Sequence, residues 1–195
     1  MSDNFLHRLL TPAGMAEGRA AVTSSYEWFT HARTIGQFDD IKKNGIPLSW
    51  PGGYEGVCEI TDVLGPEGKA IICLSIFPKR NPLLLNKGGA HLFKMAIHRD
   101  DLPSRVGIDL TFGGTYNWAA NLHKANPTLS NEDVFLKTVI NREVVVTFDV
   151  IPAHALRVCT LEKQHEHPSN WPFLQETELE DVLQFAPDFS GYVSV

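Results

Sequence analysis

The run Val144-Val-Val-Thr-Phe-Asp-Val-Ile151 sets the tightest constraint on what this chain can fold into. Short, and dense in β-branched and aromatic side chains, it suits a strand inside a sheet better than a buried helix. Ala70-Ile-Ile-Cys-Leu-Ser-Ile-Phe77 is a second apolar run, bounded by Gly68 and Pro78, and Leu92 to His98 is a third, ending at Arg99-Asp-Asp101. Tyr26-Glu-Trp-Phe-Thr-His31 is aromatic and β-prone, and Tyr54 to Ile60 can alternate as a short strand. Strands separated by loops, with few helices and no βαβ rhythm, predict an α+β fold rather than a doubly wound sheet.

Helix signals are local. Thr34-Ile-Gly-Gln37 has the pattern of a capping box, with Thr34 accepting from the amide of Gln37. Ile35, Phe38 and Ile41 follow at a spacing of three, Asp39 and Asp40 precede Lys42 and Lys43, and Asn44-Gly45 supplies a left-handed stop. Ser130-Asn-Glu-Asp133, after Pro127, caps another helix running to about Lys137. Residues 1–25 read as a helical preface, with an amphipathic piece at Phe5, Leu9 and Leu10, a break at Pro12–Gly14, and small residues from Met15 to Val22. Pro47 to Gly56 and Pro78 to Gly89 read as loops. Without repeats, low-complexity stretches or a proline-rich linker, residues 1–195 are expected to form one domain. Residues 160–195 are expected to pack on it as an extension, because Trp171, Phe173, Phe185, Phe189 and Tyr192 lie among their acidic residues.

An apolar content of 43% against 21% charged residues excludes disorder as the main state. No run reaches the roughly 20 apolar residues that span a bilayer, and the first ten residues lack the apolar core of a signal peptide. Cys58, Cys73 and Cys159 form no CxxC pair, so a cytoplasmic protein without a membrane partner is expected. Seventeen basic against 23 acidic residues give a net charge of −6, which argues against coating nucleic acid through bulk charge. Lys79, Arg80, Lys87 and Arg142 could still line a local basic groove.

Three places carry residues suited to chemistry. His31 ends an aromatic stretch and can donate a ring hydrogen to a ligand hydroxyl such as that of a ribose, or be a core histidine satisfied by backbone. Glu143 opens the β-branched run, where a carboxylate can stabilise positive charge at an anomeric carbon and activate a nucleophile, or simply pair with Arg142 or a surface lysine. Phe112-Gly-Gly-Thr-Tyr-Asn-Trp118 reads as a glycine-hinged loop whose Tyr116 and Trp118 offer stacking faces to a planar ring and whose Asn117 can read an amide edge, or as a turn that plugs the core. Other chemistries find little support. His165 and His167 lack third and fourth zinc partners, the Gly-x-Ser-x-Gly elbow does not occur, and neither GxGxxG nor GxxxxGK[ST] is present.

In order along the chain, four segments resemble one family. Trp28-Phe-Thr-His31 running into Asp40-Ile-Lys-Lys-Asn-Gly45-Ile46 resembles the opening of NAD-dependent ADP-ribosyltransferases. Ile76-Phe-Pro-Lys-Arg-Asn-Pro-Leu-Leu-Leu-Asn86 is similar to the F-x-P-x-x-P-M-L loop of DarT-type toxins, and Leu110-Thr-Phe-Gly-Gly-Thr-Tyr-Asn-Trp-Ala119 to their F-T-D-x-x-x-Y-N-W stretch. Glu143 falls where their catalytic glutamate begins a late strand, with Ile151-Pro152 following as their Ile-Pro pair does. The matches cover residues 26–158.

The resemblance implies a split β-sheet ADP-ribosyltransferase core with peripheral helices, NAD as co-substrate between two small sheets, and transfer of ADP-ribose to a base of single-stranded DNA. It implies Glu143 as the catalytic carboxylate with Arg80 beside it, Thr30, His31, Arg33 and Tyr116 on the cofactor, and Asn117, Trp118 and Arg142 on the acceptor. As a toxin, the chain would need an antitoxin or an ADP-ribosyl hydrolase as antagonist. The family places an arginine near the NAD phosphates, yet Pro47 to Ala70 contains none, which leaves Arg33 and Arg80 for that contact. RNA or protein as acceptor, and a non-catalytic nucleotide- or peptide-binding module, are the alternative readings.

Overall fold

The computed structural model describes residues 5–34, 37–49, 70–77, 92–110, 113–159 and 192–194. In chain order its elements are α1 (Phe5–Leu9), α2 (Pro12–Ser25), β1 (Trp28–Thr34), α3 (Phe38–Asn44), β2 (Ile72–Phe77), β3 (Leu92–His98), β4 (Val106–Gly107), α4 (Gly113–Ala125), α5 (Asn131–Arg142), β5 (Val144–Thr147), β6 (Leu156–Cys159) and β7 (Tyr192–Ser194). The mixture of helices with an antiparallel sheet is the α+β class expected. The chain groups into two compact units, one of Met1–Glu27, Leu48–Leu74 and Pro103–Val150, the other of Trp28–Pro47, Ser75–Leu102 and Ile151–Val195. Among the described residues no helix is long and apolar enough to cross a membrane.

The first unit is mainly helical. Thr11 caps α2, its hydroxyl accepting from the amide of Gly14 at 3.1 Å, and Pro12 sits in the first turn, where a missing N–H costs nothing. The break read at Pro12–Gly14 is therefore a helix start. α2 packs along α5, and Gly18 lies so close to Phe135 that a Cβ there would come within 2.5 Å of the ring. The capping box of α5 forms as expected, the amide of Asp133 donating to Ser130 Oγ at 3.0 Å and that of Ser130 to Asp133 Oδ2 at 3.4 Å. The helix continues past Lys137 to Arg142 because Val134, Phe135, Thr138 and Val139 bury one continuous face.

The expected strand to Ile151 stops at Thr147. Beyond it the amide of Asp149 turns back to Thr147 Oγ1 at 3.1 Å. The Asp149 carboxylate accepts from Arg105 Nε at 2.7 Å and from the Arg105 amide at 3.0 Å, and this polar clamp ends the β4–β5 ladder. A second correction concerns Phe112–Trp118. From Gly113 onward it is not a loop but the opening of α4, since buried Thr115 and Ala119 and half-buried Leu122 recur at helical spacing.

In the second unit β1 is central, antiparallel to β2 on one side and β3 on the other, with β6 and then β7 beyond β3. Its register sets Ile76, Phe29, Ile97 and Leu156 in one row across four strands, all buried. The strand expected to end at His31 runs on to Thr34, so Thr34 belongs to the sheet and caps no helix. α3 starts at Phe38 behind Gln37, which makes no side-chain cap. Its carboxylates and lysines lie at the ends expected from the macrodipole. Gly45 stops it at φ 79°, and a Cβ at that position would strike the carbonyl oxygen of Ile151. Ile46 and Ile151 then pair backbone to backbone at 2.8 and 3.2 Å, which requires this close approach. The expectations for Tyr54–Ile60, the Pro78–Gly89 loop and most of residues 160–195 lie outside the described residues; of the last, only β7 is described, pairing with β6.

Candidate functional site

Glu143 is the feature of the first unit that ordinary folding rules explain least. It is the single residue between α5 and β5, so the chain must turn from helix to strand within one position. It does so in the left-handed conformation, φ 56° and ψ 24°, with its amide donating to the carbonyl of Val139 at 2.6 Å. Among the described residues it is the one non-glycine with positive φ. Glycine or asparagine is the usual choice there, because a Cβ in this conformation crowds the following carbonyl. Glu143 is also buried, only 4% exposed, where carboxylates are rare unless paired. A strained, buried acid is the pattern from which a functional hypothesis starts.

Beside it Arg142 closes the last turn of α5, half-buried. Tyr116, Asn117 and Trp118 belong to the same unit, on α4, which packs against α5. Successive helical residues turn by about 100°, so the two aromatic side chains and the amide fan out instead of forming one stacking platform. Asn117 lies on the exposed face with Gly114, Asn121 and Lys124, while Tyr116 and Trp118 are half-buried on either flank. The stacking loop expected for this segment is thereby replaced by a helix whose side chains reach three directions.

The second unit holds Thr30, His31 and Arg33. His31 lies in the middle of β1, not at its end, directly across from Met95, which is fully buried. Alternation along the strand puts His31 and Arg33 on the face of Phe29, both half-buried. Thr30 points to the other face, opposite Ser75 on one side and Ala96 on the other, and is buried. The sheet therefore brings His31 and Arg33 together and separates Thr30 from them. Arg80, with Lys79 and Lys87, lies outside the described residues.

Thr115, in the first turn of α4, escaped the sequence reading, which took that stretch as a loop with the aromatic residues as its payload. It is 2% exposed. The signal that could have marked it is Gly113-Gly114-Thr115 read as the opening of a helix. No group of three or more histidine, cysteine, aspartate or glutamate side chains suited to a metal ion lies among the described residues. No protein-family model, no curated protein and no solved structure matches the chain.

Proposed function

We propose that the chain is an NAD-dependent ADP-ribosyltransferase of the split-sheet type that modifies a base in single-stranded DNA, with Glu143 as its catalytic carboxylate. The observation that carries this reading is the burial of Glu143 in a left-handed helix-to-strand junction, a backbone conformation that favours glycine or asparagine. The ordered resemblance of four segments to DarT-type toxins supplies the reaction class.

In this reaction the bond from the ribose anomeric carbon to nicotinamide breaks, and nicotinamide leaves with the electron pair. The ribose acquires oxocarbenium character, and a buried carboxylate beside it gains strength from the low local dielectric. A ring or exocyclic nitrogen of the base donates its lone pair to the anomeric carbon, and its surplus proton passes to Glu143 as general base. An unpaired base costs less to engage than one in a duplex, which favours a single-stranded acceptor over a double-stranded one. The same resemblance assigns His31 and Arg33, which share one face of β1, to the co-substrate. Arg142, which closes α5 next to Glu143 in sequence, would serve the acceptor.

Incubation of wild-type and Glu143→Gln protein with labelled NAD and, separately, single-stranded DNA, RNA and a cell-protein extract tests the reading. Label on DNA with wild type alone supports it. Label confined to RNA or protein keeps the transferase and replaces the acceptor. NAD neither bound nor consumed in any pool would sink the reading in favour of a binding module. Expression of the wild type, but not of Glu143→Gln, should arrest host growth, and a co-expressed antitoxin or hydrolase would relieve it.

A further inference from the structure

We draw no further inference here: the strongest candidate, the two buried ring nitrogens without a hydrogen-bond partner on neighbouring helices of the first unit, His7 Nε2 on α1 and His123 Nδ1 on α4, carries nothing because among the described residues no third side chain suited to a metal ion joins them, the His123 ring is already stacked on Phe5, and nothing in the structure shows what else the pair would hold.

Discussion

Replacing Glu143 by glycine and, separately, by alanine isolates the backbone strain at the junction between α5 and β5. Both variants lose the carboxylate and empty nearly the same space, so their difference reports one Cβ at φ 56°. The left-handed conformation costs a residue with a Cβ about 1–2 kcal/mol relative to glycine. Against this, glycine loses about 0.4–1 kcal/mol more chain entropy on folding than alanine. The balance makes Glu143→Gly more stable than Glu143→Ala by about 0.5–1 kcal/mol, the reverse of the order at an ordinary position. For a chain of this length that is a difference in melting temperature of about 1–4 °C, within reach of calorimetry, and a matching offset in urea midpoints. Both variants should be inert toward NAD. An alanine variant as stable as the glycine variant, or more so, would show that the junction is not left-handed and would remove the strain argument for Glu143.

Gly18→Ala should destabilise the α2–α5 packing by about 1–3 kcal/mol through the clash with Phe135, read as a lower urea midpoint, and Phe135→Leu in the same chain should recover part of it. Ser130→Ala removes one half of the α5 capping box and should cost about 1 kcal/mol in thermal unfolding. Asp149→Ala leaves the Arg105 amide and guanidinium without their carboxylate and should cost about 2 kcal/mol, whereas Arg105→Ala and the double variant should show less than additive losses in a mutant cycle. His31→Phe preserves packing on the apolar face of β1; it should leave the melting temperature within a few degrees but weaken NAD binding, and unchanged NAD affinity would take His31 out of the site.

The strands were legible because their chemistry is local. Ile72–Phe77 and Leu92–His98 are dense in β-branched and apolar residues and end at breakers or charges, and both form where expected. The Ser130–Asp133 box and the Gly45 stop were legible for a similar reason, since capping depends on a few adjacent residues. What failed were readings in which a local motif competes with tertiary pairing. Thr34-Ile-Gly-Gln37 fits a capping box, but seven residues of β1 pair with β3, and that ladder keeps Thr34 as a strand residue. Gly113-Gly114 looks like a hinge, yet the helical spacing of buried Thr115 and Ala119 and half-buried Leu122 outweighs the two glycines.

The candidate site was legible as residue types and not as geometry. Glu143 could be chosen from its place before a β-branched run, but its left-handed backbone depends on α5 extending to Arg142, five residues farther than the cap alone suggested. Thr30 and His31, neighbours in sequence, part to opposite faces once the stretch is a strand. Where local preference and structure disagree in the first unit, two features stand out: a glutamate at a glycine's conformation, and an exposed helical glycine with no conformational need for it. Each carries a backbone cost: a Cβ is crowded in the left-handed conformation of Glu143, and glycine is a poor helix former at position 114. They fall at the last turn of α5 and the first turn of α4, two helices that pack together within one unit.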